Sequence, residues 1–268
     1  MEILPQRTIR VRSLKDWQRL WIFGDCHLGN ASCVEHLVDE TLEEIRTDKS
    51  ALMVGIGDYA DCISMYDPRF DAHEVSPGHR ADYFEKQGHA IAQMLVKKFW
   101  PIRNKILFLL RGNHEDKYET LMDQAIMRTV CDKLKSPYGE YCASMVLAFT
   151  DGRKTERFRL WAHHGAGFAS TTGGKINKLK SVFSIHQSDI YMCGHSHEQM
   201  DLPKVRLYDK DGHIEQQKML AVMTGAFLAT YRQGQSTYGE KRMYEPVALG
   251  AVAVRIRPEG RKLAVEKY

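Results

Sequence analysis

With 268 residues, 43% of them hydrophobic and 27% charged, the chain has enough apolar material for a sizeable buried core and is neither disordered nor fibrous. Its formal net charge of +4 permits an anionic substrate but falls short of the concentrated basicity of a dedicated nucleic-acid binder. The N-terminal stretch has no apolar leader core, the uncharged apolar stretch 219–231 is too short to span a bilayer, and the six cysteines include no CxxC pair; a soluble, cytoplasmic chain with reduced thiols and no membrane partner is expected.

No repeat, low-complexity tract or linker divides the sequence, and residues 1–268 read as a single domain. Along the chain, short apolar runs of strand type are followed at once by acids, histidines or asparagine. The first is RLWIFGDCHLG (19–29), followed by a stretch of helical period over 32–49 with Val34, Leu37, Val38, Leu42 and Ile45 on one face. The second, ALMVGIGDYAD (51–61), precedes a helical stretch over 83–100 that Pro101 stops. KILFLLRGNHED (105–116) leads into another predicted helix over 119–135. FRLWAHHGAG (158–167) and DIYMCGHSHE (189–198) complete the series. Beyond residue 200 the pattern becomes strand and turn, with an Asp-Gly turn at 211–212 and a closing hairpin within 247–268. Strands alternating with helices predict an α/β core whose polar loops gather at the carboxyl ends of the strands.

Those loops carry Asp25, His27, Asp58, Asp61, Asn113, His114, His164, His195 and His197. Carboxylates and imidazoles from separate loops are the donors that a dinuclear site for manganese, iron or zinc needs, with a carboxylate available as a bridge. Cys193 lacks the partner cysteines of a zinc ribbon, and Cys26, Cys62 and Cys193 read as small buried packing residues.

In order and spacing, the blocks D-x-H, G-D-x-x-D, G-N-H-E, H-G and G-H-x-H over residues 24–197 resemble the calcineurin-like metallophosphoesterase superfamily. The resemblance implies an α/β fold, a four-layer α/β/β/α sandwich of two mixed sheets flanked by helices. It implies two divalent metal ions, manganese foremost, with iron, zinc or nickel as alternatives. One ion would be held by Asp25, His27, Asp58 and His197, the other by Asp58, Asn113, His164 and His195, with Asp58 as the bridge. His164 is preferred to His163 because the family's ligand immediately precedes glycine, here Gly165. His114 is expected to face the substrate as general acid or transition-state stabiliser, its ring oriented by Asp61. The implied chemistry is in-line attack on phosphorus by a hydroxide bridging the ions.

Two departures refine the resemblance. Where purple acid phosphatases place a ligating tyrosine this chain has Asp61, and Cys62 stands where Ser/Thr phosphoprotein phosphatases keep a phosphate-holding arginine. Substrate contacts are expected from Arg111, Lys175 and Arg232. The surrounding stretches are 62–82 (Tyr66, Arg69, His73, His79, Arg80), the Gly-rich 165–180, and 230–244, which mixes Tyr231, Tyr238 and Tyr244 with Arg232, Lys241 and Arg242 in a manner suited to stacking on bases. The expected function is therefore a metal-dependent phosphoester hydrolase, a nuclease-like phosphodiesterase acting on nucleotides or nucleic acid. The alternatives are a phosphomonoesterase and a non-catalytic scaffold of the same fold, like the resembling retromer subunit. Such modules tend to lose ligands, and none is missing here.

Overall fold

The computed structural model describes residues 1–76, 87–167, 169, 171–234 and 236–268, so His79 and Arg80 of the long link lie outside the described residues. Two short strands, β1 (Glu2–Ile3) and β2 (Arg7–Arg10), precede β3 (Gln18–Phe23), α1 (Glu35–Thr47), β4 (Ala51–Gly55) and α2 (Gln87–Phe99). Then come β5 (Ile106–Leu109), α3 (Asn113–Met122), α4 (Ile126–Leu134), β6 (Cys142–Thr150), β7 (Thr155–His163), α5 (Thr172–Ser181) and β8 (Ile190–Cys193). The chain continues through β9 (Met200–Lys210), β10 (His213–Met223), the short α6 (Tyr238–Lys241), β11 (Val252–Arg257) and β12 (Lys262–Lys267).

The strands form two mixed sheets. One runs β12-β11-β3-β4-β5; the other runs β1-β6-β7-β8-β10-β9, with β2 also paired to β6. Within the first, β3, β4 and β5 are parallel neighbours, and the C-terminal hairpin joins through antiparallel β11–β3 pairing. Within the second, β7 and β8 are parallel neighbours. The inner faces meet in a core of Leu20, Ile22, Val54 and Val254 from one sheet and Leu147, Leu160, Met192 and Val222 from the other. Period-two side-chain alternation leaves Trp21, Phe23 and Met53 on the outer face, where α1, α2 and α4 cover them with Val38, Ile45, Leu95 and Val130. Trp161, Tyr191 and Ala221 on the far face of the other sheet pack against Leu179 of α5. Four layers, α/β/β/α, result.

The strand runs form as their patterns predict, and the helices differ in detail. α1 buries Val38, Thr41, Leu42 and Ile45, with Glu35 in its first turn and Arg46 in its last, each charge suited to its helix end. Pro101 does not end the helical path; it opens a 3-10 turn over Trp100–Lys105 directly after α2. The single helix expected over 119–135 is two, because Asp123 takes a left-handed φ of 51° between α3 and α4. The Asp211–Gly212 pair, with φ of 49° and 78°, closes the β9–β10 hairpin as a two-residue turn of positive φ. β6, with β1 and β2 beside it, is the element the reading by polar loops passed over; the Asp151–Gly152 pair that follows it makes the turn into β7 and carries no donor to the centre. No helix among the described residues is long and apolar enough to cross a membrane.

Phe108 of β5 is fully buried between the sheets. Phe108→Ala is expected to cost about 3–5 kcal/mol of stability, read as a lowered urea midpoint with unchanged slope.

Candidate metal centre

The carboxyl ends of β3, β4 and β5 meet those of β7 and β8, and the polar loops converge there. The loops after β3 and β4 run side by side: the N–H groups of Asp25, Cys26, His27 and Leu28 donate to carbonyls of Gly57, Asp58, Asp58 and Tyr59 at 2.9, 2.8, 3.0 and 2.9 Å. In the other sheet, Gly194 N–H donates to the His164 carbonyl at 2.8 Å. His164 ties the two sheets together, its Nδ1 lying 2.9 Å from the Ile56 carbonyl. A carbonyl only accepts, so Nδ1 carries the proton and Nε2 turns its lone pair to the centre.

Asp58 stands in the middle. Its Oδ2 is 3.3 Å from His164 Nε2 and 3.9 Å from His27 Nε2, while Oδ1 accepts the His114 N–H at 2.9 Å. On one side, Asn113 Oδ1 lies between His164 Nε2 (3.0 Å) and His195 Nδ1 (2.7 Å). On the other, His27 Nε2 is 3.2 Å from His197 Nε2, which is 3.7 Å from Asp25 Oδ1. Three triads each bring one donor atom per residue within 4.8 Å: Asp25–His27–His197, His27–Asp58–His114 and Asp58–His164–His195. Asp25 Oδ2 accepts the His195 N–H at 2.9 Å, but Oδ1 is buried with no hydrogen-bond partner among the described residues. A buried acceptor is costly unless a donor or a cation meets it. The imidazoles of His27 and His197 beside such an atom fit a divalent cation.

Backbone strain concentrates in the same place. Asp25, His27, Asp58, His195 and His197 have φ of 51°, 50°, 51°, 69° and 55°. Each left-handed non-glycine residue costs about 1–3 kcal/mol and persists only where its surroundings over-determine it. Close approach adds a further constraint: a Cβ on Gly112 would lie 2.0 Å from Asp58 Oδ1, and one on Gly194 would lie 2.6 Å from Asp25 Oδ2.

The electrostatics divide the imidazoles into two kinds. Burial opposes charge on His164 and His27, but Asp58 outweighs it for the first and Asp61 with Asp58 for the second, pushing both up to about 9. Burial, reinforced by the charge of His164, pushes His195 down to about 4; burial and His27 hold His197 well below the usual imidazole range. Burial pushes Asp25 up to about 7 against the pull of His164. Burial also opposes charge on Asp58, yet His164 and His114 hold it well below the usual carboxylate range. A divalent cation requires neutral imidazoles and an ionised carboxylate of its donors, so it would displace the second proton that Asp58 and Asp61 favour on His164 and His27.

Glu115 is the functional residue that the motif reading passed over. Its fully buried carboxylate accepts the N–H groups of Asp58 (2.8 Å), Tyr59 (2.7 Å), Ala60 (3.3 Å) and Gly112 (2.8 Å). Burial and the Asp58 charge push its carboxyl up to about 7, but only the ionised form receives all four donors. The available signal was the Gly-x-x-Glu spacing at a helix start, in which the third helical residue reaches back to the cap.

The other expected residues are placed less uniformly. His114 Nδ1 donates to the Asp61 carbonyl at 2.5 Å, whereas the Asp61 carboxylate stands 3.5 Å from that nitrogen. The carboxylate turns instead to Asn30 Nδ2 (3.2 Å) and His27 Nδ1 (3.4 Å). Asp61 therefore orients His114 through its main chain, because its side chain points to the β3 loop. His163 faces away: its Nδ1 accepts the Gly165 N–H at 2.9 Å and its ring stacks on Trp161. Arg111, expected to hold substrate, is enclosed by Glu119 (2.9 Å), Asp116 (3.0 Å) and Glu140 (3.6 Å), which already take its charge. Lys175 is 2.7 Å from Glu198, and Arg232 donates to the Ala31 carbonyl, so both are engaged within the protein. Cys26, Cys62 and Cys193 are buried and unbridged.

A four-layer fold with carboxylates and imidazoles gathered at facing strand ends is that of a metal-dependent phosphoesterase. The family model for calcineurin-like phosphoesterases matches residues 18–199, and the chain belongs to that family. Comparison with curated proteins gives no match. Among solved structures, the chain is similar to a metallophosphoesterase from Sphaerobacter thermophilus, at 12% identity over 94% of this chain and 88% of that one, with a TM-score of 0.40. It is also similar to Vps29 complexed with zinc from Entamoeba histolytica, at 9% identity over 93% and 97% of the two chains, with a TM-score of 0.40. A conserved protein from Streptococcus pneumoniae, described as a predicted phosphoesterase, matches at 12% identity over 90% and 84%, with a TM-score of 0.36.

Glu115→Gln retains the shape of the side chain but replaces one acceptor oxygen with a donor facing N–H groups. A stability loss of about 1–3 kcal/mol and reduced manganese uptake are expected, measured by thermal melting and metal analysis; wild-type values for both would show that the carboxylate is dispensable.

Proposed function

We propose that the protein is a dinuclear-metal phosphodiesterase acting on nucleotides or nucleic acid. The observation that carries the reading is Asp58 Oδ2, which faces His164 on one side and His27 on the other, the position a bridging carboxylate must take. Asp25, His27, Asp58 and His197 are assigned to one ion and Asp58, Asn113, His164 and His195 to the second, with manganese foremost for so mixed a set of oxygen and nitrogen donors. When bound, such a pair lowers the pKa of water and offsets charge on phosphate oxygens.

The chain's own residues supply the rest. His114 keeps its Nδ1 proton on the Asp61 carbonyl and leaves Nε2 towards the open side. Burial lowers its pKa, so the free ring is mainly neutral at pH 7. An anionic phosphate beside Nε2 favours imidazolium there. As the oxygen of water bonds to phosphorus and the bond to the leaving oxygen breaks, Nε2 gives its proton to that oxygen.

The nucleotide or nucleic-acid reading is supported by the rim. Phe227 N–H donates to the Asp25 carbonyl at 3.0 Å, and the chain beyond it reaches Ala31 through Arg232. Tyr238 and Tyr244 pack edge to face at 6.0 Å, and Arg242 lies 5.4 Å over the Tyr238 ring. The exposed Tyr238 ring, with the Arg242 guanidinium over it and the half-buried Tyr244 beside it, suits stacking on a base. Lys241 contributes less, since Asp71 (2.9 Å) and Glu74 (3.2 Å) take its charge.

Manganese-loaded protein is expected to hydrolyse bis-(p-nitrophenyl) phosphate, and Asp58→Asn to abolish that activity and lower metal content. Monoester turnover without diester turnover would instead make it a phosphomonoesterase. His114→Ala is expected to retain metal and lose roughly 10²–10⁴ in kcat, with a greater loss for alkyl leaving groups than for p-nitrophenolate. Tyr238→Ala with Arg242→Ala should weaken single-stranded DNA or RNA binding and flatten its salt dependence; unchanged affinity removes the rim from the substrate path.

A further inference from the structure

The long link after Asp61 brings one guanidinium to the open side of the centre. Asp67, its side chain 2% exposed, is the anchor. Its Oδ1 accepts the Arg69 main-chain N–H (2.9 Å), Arg69 Nε (3.1 Å) and Lys117 Nζ (3.0 Å), while Oδ2 accepts Arg69 Nη2 (2.9 Å). Lys117 lies one turn along α3 from His114, so the clamp is fastened to the helix that carries Asn113 and His114. The remaining nitrogen, Arg69 Nη1, stands 3.4 Å from His114 Nε2.

We propose that Arg69 binds a non-bridging oxygen of the substrate phosphate through Nη1, with Asp67 and Lys117 as its positioning residues. The inference rests on the phosphodiesterase reading and narrows its substrate class. A guanidinium fork free on its Nε/Nη2 side would grip a phosphate dianion through two parallel bonds. Here that side is filled by Asp67, which leaves the phosphate only the end of the fork, Nη1 and the outer N–H of Nη2. Two cations around one carboxylate also leave the cluster one positive charge in excess, a match for the single charge of a phosphodiester. Arg69 thereby takes up, from further along the same link, the phosphate contact that Cys62 cannot make.

The test uses the full chain loaded with manganese. Arg69→Met keeps the aliphatic stem and removes every donor; Arg69→Lys restores charge without the planar fork. Arg69→Met is expected to raise KM for bis-(p-nitrophenyl) phosphate, and Kd for dimethyl phosphate by calorimetry, roughly ten- to a hundredfold. Metal content should be unchanged, and the lysine variant should recover part of the loss. Asp67→Asn, which frees the clamp but keeps Arg69, should shift KM in the same direction by less, with kcat held within about twofold. Native KM and Kd in Arg69→Met overturn the proposal, as does loss of metal, which would make the residue structural. Equal weakening of dimethyl phosphate and inorganic phosphate overturns the diester preference. A wild-type protein that turns over neither ester yet binds dimethyl phosphate through Arg69 refutes the phosphodiesterase reading and leaves the assignment of Arg69 standing.

Discussion

Four main-chain N–H groups aimed at one buried carboxylate hold the centre together. Carbonyls of the loop after β4 already pair it to the loop after β3, and Glu115 adds a tie between the loops after β4 and β5. Glu115 takes donors from both, three from Asp58, Tyr59 and Ala60 and one from Gly112. Charge-assisted bonds of this kind are roughly twice as strong as neutral ones, and within a buried site they are not traded for water. Asp58 can therefore sit in a left-handed conformation with its Oδ2 between imidazoles of two different sheets, because its own amide is held from behind.

The two-sheet architecture gives the same centre its second support. His164 descends from β7 but hydrogen-bonds to Ile56 beyond β4, so the ring spans the boundary between the inner faces. The apolar core behind it, close-packed from both sheets, resists the shear that would separate the two halves. Strain at five donor residues is thus distributed over a rigid frame, with each loop closed by its neighbour's carbonyls. The centre is preorganised by contacts that are mostly main chain.

Much of this was legible in the sequence, for a physical reason. A strand buried on both faces reads as a short continuous apolar run, and residues that must turn abruptly into a polar pocket follow it directly, so strand and donor announce each other. Where the polar residue after a strand only makes a tight turn, as Asp151 does after β6, the strand escaped notice. Helix boundaries were less visible: Asp123 interrupts an unbroken apolar period because a left-handed residue leaves no mark on periodicity. The arginines were the hardest to read. Arg111 sits within a motif yet is neutralised by Glu119, Asp116 and Glu140, the last brought close only by folding. Arg69 lies in a link with no motif, and its value comes from Asp67 and Lys117 around it and from His114, 45 positions along the chain. Charge on a side chain can be seen in a sequence; whether that charge is already spent cannot.

The clamp on Arg69 also bears on how such a protein can change over time. The residues proposed as metal donors are bound to strand register and to one another's carbonyls, so substituting any one disturbs several. Asp67 and Arg69 lie two positions apart in a segment outside the sheets, tied to the centre through Lys117 and His114 of α3. If Arg69 holds phosphate as proposed, exchange of that segment would alter which phosphate is held while the residues proposed as metal donors stay in place. A single inherited centre would in this way diversify by replacing a short segment beside it, and selection on substrate choice would be uncoupled from selection on the reaction itself.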